Sequence, residues 1–433
     1  LLPLLLLPSC TLPTPAPNPI YPITSPDHLQ RISTAVPFPR GLALKDGTLY
    51  ALSRGKVRDA GGTDVSLDDH AGTIYAVDPD IASPLDAPPS HEVDHNARAI
   101  ATPTDPPFRL LSRSLPNALA DNRTDRPYCI LRYDPATYSF YFCAFSGIDK
   151  PLSDYGGKND RSYFRKNNSD AVFRFDTRTR RYHVLYRGPL ALAGPNNCLV
   201  VGHHLYVVAK ENSALCRFDL SRYTTDPEAP QPPPQYLLGD TFDIEGQGIQ
   251  HYTGHSMLAA DAKYLYLGFR TSSVIIRLPL DTLGKERYNP KHPPEAQLIA
   301  RFDPYDPDTG ATADLTDMTF APPSLNNDLL VISAKPARLF RFHPDPNHVF
   351  DARSAPPDAS QQPSLSYANL SDLTNNPKMK AEAILAAPDG SIYITSADRA
   401  PNTSLDKGLG GTIYRLNPHL QPTTTSSSPT TAP

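Results

Sequence analysis

The chain has 433 residues, with 49 prolines, 23 glycines, 22 tyrosines, 3 methionines and no tryptophan. Proline at about twice its usual share excludes a long-helix protein, because each interior proline removes a helix hydrogen bond and clashes with the turn before it. A formal charge of −4 gives no global field for nucleic acid or anionic lipid, and a hydrophobic share of 39% is too high for a disordered chain.

The chain begins at Leu1 with an apolar stretch, residues 1–8, too short to span a bilayer. It reads as the end of a signal-peptide apolar region. It runs into Leu7-Pro8-Ser9-Cys10, which resembles a bacterial lipobox, with Pro8 outside the usual pattern. That resemblance implies diacylation of Cys10 in residues 1–10. The alternative is an ordinary secretory signal with an incidental cysteine. Residues 11–27 are Pro-rich, the composition of a semi-rigid extended linker. Residues 422–433 hold only Thr, Ser and Pro apart from one Ala, and disorder is expected there. The reading is an exported protein of the cell envelope, periplasmic or on the outer surface, or else secreted. It would touch a membrane only through its lipid.

Between the two ends, residues 28–421 carry a repeat. A short β-type alternation recurs as Val172-Phe173-Arg174-Phe175, Leu215-Cys216-Arg217-Phe218, Ile275-Ile276-Arg277-Leu278, Leu339-Phe340-Arg341-Phe342 and Ile413-Tyr414-Arg415-Leu416. A further copy, Ile74-Tyr75-Ala76-Val77, lacks only the Arg. Upstream of each copy lies a second strand, usually with a central Tyr, as at Tyr50, Tyr206, Tyr266 and Tyr393. Before most of these sits a tight turn, of which Asp46-Gly47 and Asp389-Gly390 are hairpin signals. An apolar strand precedes each turn, beginning near residues 41, 128, 197, 256, 317 and 382. Three or four strands per unit, repeated six times, predict an all-β, six-bladed β-propeller with a Pro-rich insertion at about 83–125. The sixth blade has three strands and then only the tail. Its outer strand is therefore predicted at about 29–36, which would close the ring and remove an exposed edge.

The cysteines fit export. With Cys10 lipidated, four remain. A hairpin pairing 133 with 139 and 131 with 141 sets Cys129 opposite Cys143. Either a disulfide or two buried thiols fits that placement. Cys198 and Cys216 fall about two strand spacings apart in one blade, beyond bonding reach, and are read as buried and free.

In a propeller, first-strand starts and second-to-third loops open on one face. The starts offer Arg40, Tyr128, Asn197, His255, Asp317 and Glu382. The loops offer Arg54, Lys210, Arg270, Lys335 and Arg399. With Arg40, these cations can attract a carboxylate, phosphate or acidic sugar, or else pair with nearby acids as solvated rim charge. Long loops at 53–71, 146–169 and 397–410 belong to neighbouring blades and would wall one side of that face.

Asn197, Asp317 and Glu382 can supply hard oxygen ligands for calcium. Here the chain resembles the gluconolactonase, strictosidine-synthase-like and NHL group of six-bladed propellers. In the lactonase-like members a Glu, an Asn and an Asp from first-strand starts hold a divalent metal. The resemblance implies those roles for Glu382, Asn197 and Asp317, and in a lactonase or esterase reading His255 is the candidate acid/base. The residues flanking the three, Cys198, Met318 and Ala383, depart from the group's pattern. Two further clusters, Asp64/Asp68/Asp69/His70 and Asp243/Glu245/His251/His255, match no standard calcium or zinc spacing. The leading expectation is a monomeric, non-enzymatic propeller that binds a small molecule or protein, anionic in the cation-ring reading. The alternative is the calcium-dependent hydrolase.

Overall fold

A computed structural model describes residues 22–53, 56–58, 64–66, 72–101, 126–127, 130–145, 171–187, 192, 194–210, 212–223, 231–302, 314–334, 336–345, 347–352, 367–377, 379–396 and 411–418. The architecture is all-β, a β-propeller of sheets built mainly from antiparallel strands that, in all but the last sheet, follow one another in chain order.

The first sheet runs Pro39–Lys45, Thr48–Ser53, Ile74–Val77 and Arg98–Ala101. The second runs Arg132–Asp134, Ser139–Phe145, Ala171–Asp176 and Arg181–Arg187. The third runs Pro195–Val201, His204–Ala209, Ala214–Asp219 and Gln235–Leu238. The fourth runs His255–Ala260, Tyr264–Phe269, Val274–Pro279 and Glu295–Arg301, and the hairpin of Thr241–Ile244 and Gly248–His251 extends it. The fifth runs Leu315–Phe320, Leu329–Ala334, Ala337–Phe342 and Ala368–Asn369. The sixth runs Ala381–Ala386, Ile392–Ser396 and Thr412–Leu416, followed by Leu29–Ser33 from the start of the chain. Leu29 pairs with Leu416 and Arg31 with Tyr414.

The alternation seen in the sequence explains these strands. On each, one set of side chains packs toward the preceding sheet and the other toward the following one. Apolar clusters therefore lie between successive sheets. Leu131, Phe140 and Phe173 pack with Ala43 and Leu52, while Ile32, Leu42 and Leu49 pack with Tyr393 and Ile413. Leu258, Leu267 and Ile276 pack with Tyr206 and Leu215. Burying each such side chain contributes roughly 1.5–3 kcal/mol against exposure.

The turns refine the expectations. Asp46 and Gly47 both take positive φ, 50° and 77°, and join Lys45 to Thr48 in a two-residue hairpin. The matching Asp389-Gly390 differs. Ala386 pairs with Ile392, so the loop has five residues. Pro388 fixes a negative φ there, and the Asp389 carboxylate accepts from the Ser391 N–H at 2.9 Å. In the second sheet the expected register is off by one: Asp134 pairs with Ser139 and Arg132 with Tyr141. The Asp134 carboxylate accepts from the N–H groups of Ala136 and Thr137, and Tyr138 closes the turn at φ 51°. The loop is thus one residue shorter than predicted.

Two segments do more than expected. Ile23, near the end of the predicted linker, is buried and bridges Ala368. The start of the 83–125 insertion supplies structure: Ser83–Pro84 pairs with Gln30 and Arg31, a short helix spans His91–His95, and Arg98–Ala101 becomes the outer strand of the first sheet. No helix among the described residues is long and apolar enough to cross a membrane.

Candidate functional site

Five of the first strands share one irregularity. Pairing with the second strand breaks between Pro39 and Gly41, Pro195 and Asn197, His255 and Met257, Leu315 and Asp317, and Ala381 and Ala383. Each break is a one-residue bulge, which bends the strand and re-aims a side chain. The bulged residues are Arg40, Asn196, Ser256, Thr316 and Glu382. Four of these side chains reach a neighbouring sheet. Arg40 forms an ion pair with Glu382, joining the first and sixth sheets. Asn196 Nδ2 donates to the Ser256 carbonyl at 3.2 Å, and Thr316 Oγ1 to the Ala381 carbonyl at 3.0 Å.

The residue after the bulge adds a second tier. Asp317 is fully buried. Its Oδ1 accepts from Asn197 Nδ2 at 3.1 Å and lies 3.3 Å from Arg132 Nη2. Its Oδ2 accepts from the Ile384 N–H at 3.0 Å. One carboxylate thus ties together the second, third, fifth and sixth sheets. Burial pushes its pKa up, while the Arg132 guanidinium and the hydrogen bonds oppose that rise.

This arrangement brings together the residues of the predicted metal set and leaves one of their oxygens, Asn197 Oδ1, buried without a hydrogen-bond partner. Asn197 and Asp317 do meet, but both Asp317 oxygens accept N–H groups, and Glu382 faces Arg40. A calcium cage needs several oxygens free to converge on one point, and a guanidinium beside each carboxylate opposes a divalent cation. Among the described residues no three His, Cys, Asp or Glu side chains form a metal-binding group. The donor set does not fit calcium.

His255 occupies a different environment from the one expected for an acid/base. It is fully buried, with its ring 4.7 Å from Phe269 in an edge contact and 6.2 Å from Phe242. Burial pushes its pKa down to about 3, so the ring is neutral at pH 7. It packs as a core side chain.

Of the predicted cations, Arg40 is taken by Glu382, and Arg270 is paired with Asp314 at the start of the fifth sheet. Lys210 is half-buried, and its backbone N–H bonds the Gly194 carbonyl at 2.9 Å. Arg54, Lys335 and Arg399 lie outside the described residues, as do Cys10, Tyr128 and Cys129. Cys143 is buried opposite Val172. Cys198 and Cys216 are both buried and both pair with Val207, one on either side, two strand spacings apart as expected.

Sequence reasoning missed Arg132. A one-residue slip in register sends every side chain of a strand to the opposite face, and the predicted pairing of 133 with 139 carried that slip. The recurring third-strand arginines, by contrast, point to the rim. Arg341 Nε binds Asp328 at 2.9 Å, and Arg174 Nε donates to Ser139 Oγ at 2.7 Å. Arg277 donates to Gln297 at 2.7 Å, and Arg415 to Gln30 and the Pro79 carbonyl at 2.8 Å each.

No protein-family model matches the chain, and no curated protein does. Solved structures do. A putative oxidoreductase (glucose dehydrogenase) from Thermus thermophilus is 12% identical, with 89% of this chain and 98% of that one covered and a TM-score of 0.46. The PQQ-bound aldose sugar dehydrogenase of Streptomyces coelicolor is 12% identical over 89% and 96%, at 0.42. A catalytically inactive virginiamycin B lyase from Staphylococcus aureus, with quinupristin, is 10% identical over 84% and 80%, at 0.38. At these identities and TM-scores the likeness assigns no chemistry to this chain.

Proposed function

We propose that this chain is an exported, lipid-tethered β-propeller that binds a small molecule or a protein through one face of a closed six-bladed ring, with no catalysis of its own. The observation that carries the reading is the use of the axial polar groups. Arg40 pairs with Glu382, and Arg132 and Asn197 pair with Asp317, across sheets. Groups spent on holding sheets together are not placed to activate water or polarise a carbonyl. Binding then falls to the long connections predicted at 53–71, 146–169 and 397–410, most of which lie outside the described residues.

The closed ring is supported by two sets of contacts. First strands touch in the order of the sheets, and Ala381–Ala386 returns to Pro39–Lys45. The strand Leu29–Ser33 bonds to Thr412–Leu416 and fills the outer place of the last blade. Leu29→Asp should therefore loosen both chain ends together, read as faster proteolysis near residue 30 and near residue 416. Cleavage at one end alone would break the closure reading.

The envelope location and the tether rest on the sequence of residues 1–10. Replacement of Cys10 by Ala should release the protein from membranes, and continued membrane association would refute lipidation. The binding reading is tested by a thermal-shift screen with calcium, EDTA and acidic sugars. Stabilisation by a sugar or other ligand, with no response to calcium, is expected. A calcium-dependent shift that EDTA reverses would restore the hydrolase reading.

A further inference from the structure

The third sheet carries a second concentration of charge, far from the axis. Arg217 and Arg222, with His204, Asp219, Tyr223 and Gln235, line a solvent-facing cleft of about 120 Å³. That is the room of about four water molecules, since each takes about 30 Å³ in the liquid. Pro232 and Pro233 form one wall. Tyr223 fixes that wall by donating from its hydroxyl to the Pro232 carbonyl at 2.7 Å.

The two arginines differ from those at the axis. Arg40 and Arg132 each face a carboxylate. Arg217 is held instead by neutral acceptors: Nη2 donates to Gln235 Oε1 at 2.6 Å, and Nη1 to the Leu283 carbonyl at 3.3 Å. Its position is fixed, and its charge is not cancelled by those partners. Gln235 is itself held by donating to the Gly284 carbonyl at 3.0 Å. Arg222 is exposed and adds a second positive charge. The one carboxylate in the lining, Asp219, has its Oδ1 occupied by the Ser221 N–H at 3.1 Å and the Ser221 hydroxyl at 2.6 Å.

We propose that this cleft is a binding site for a small oxyanion, of phosphate or short-chain carboxylate type. A guanidinium fixed beforehand loses little entropy on binding, and charge-assisted hydrogen bonds to oxyanions are the strong ones. His204 gives the site a pH response. Burial, then Arg217 and His203, push its pKa below the ordinary histidine value, while Asp219 pulls it up. The other polar groups in the lining are Arg222, Tyr223 and Gln235. A bound anion adds negative charge beside the ring and favours its protonated form. Proton uptake should therefore accompany binding, and affinity should rise as pH falls toward 6.

The test is calorimetric titration of the whole protein with inorganic phosphate and, separately, with acetate, at about pH 7.5 and about pH 6. Arg222→Gln should weaken binding about tenfold, the loss of one charge-assisted contact. Asp219→Asn should tighten it, because the amide oxygen can still cap Ser221 while the opposing charge is gone. His204→Gln should abolish the gain at the lower pH. Binding of both probes defines a general oxyanion site, and binding of acetate alone a carboxylate site. No binding of either probe at millimolar concentration would overturn the proposal. So would an affinity that neither Arg222→Gln nor Asp219→Asn changes.

Discussion

Arginine appears at the axis and at the rim of this molecule and does different work in each place. At the axis, Arg40 and Arg132 meet carboxylates from other sheets, Glu382 and Asp317. At the rim, Arg277 and Arg415 hold neighbouring strands and turns through neutral acceptors, while Arg341 meets a buried carboxylate of its own sheet, Asp328. The axial carboxylates Asp317 and Glu382 are buried and bonded across sheets, so each depends on an arginine from another sheet. Breaking one leaves an uncompensated charge in a low-dielectric site, which costs far more than losing a solvated contact. Removing Arg277 or Arg415 leaves no carboxylate unpaired, because both bond neutral acceptors. The same side chain is thus a tie between sheets inside and a strap within a sheet outside.

The sharpest way to break this contrast is Asp317→Ala. It leaves Arg132 and Asn197 buried without their acceptor and should cost about 3–5 kcal/mol, read by denaturant unfolding. A loss near that of an exposed pair would remove the axial tie as a distinct class.

Acid tests the same interior. The His255 pKa lies below its unfolded value, so the unfolded chain binds a proton that the native state does not. Stability is therefore present above about pH 6.5 and falls as pH drops toward 3. By pH 4.5 the loss should be about 2–3 kcal/mol. The raised pKa of Asp317 acts in the opposite sense, since the native state holds its proton more tightly. His255→Phe should flatten the fall in stability between pH 6.5 and 4.5. An unchanged slope would show that His255 is not its source.

Close approach of sheets near the axis gives a smaller effect. A Cβ on Gly41 would lie 2.2 Å from the Leu131 backbone nitrogen in the next sheet. Gly41→Ala should destabilise by about 1–3 kcal/mol, as overpacking does. At the rim, Arg341→Lys keeps one contact to Asp328 and loses the donor to the Leu325 carbonyl at 3.2 Å. The expected cost is about 1–2 kcal/mol in thermal unfolding. A rim loss equal to that of Asp317→Ala would dissolve the comparison.

Much of the sheet architecture was legible in the chain. The Leu-Cys-Arg-Phe type of repeat, the tyrosines of the second strands and the Asp46-Gly47 turn are local signals, and local geometry decides them. The partner of Leu416 was also legible, because a blade short of one strand leaves an edge that some other segment must cover. The axial site was only half legible. Asn197, Asp317 and Glu382 were placed on first strands, but the carboxylate oxygens of Asp317 and Glu382 were read as free. Whether an Asp317 oxygen is free depends on what faces it from sheets 67 to 185 residues away, which no spacing rule reports. Arg132 was missed because a single residue at the Asp134 turn reverses which face a strand presents.

The sequence by itself determined the period, the strands, the turn residues and the sites of excess proline. Each of these follows from backbone sterics and side-chain alternation over a few residues. The tertiary structure alone decided the charge partners: Glu382 for Arg40, Asp317 for Arg132, and neutral acceptors for Arg217. The physical reason is that the energy of a charge is set by its distance to other charges and to water, and both are fixed only when the sheets pack.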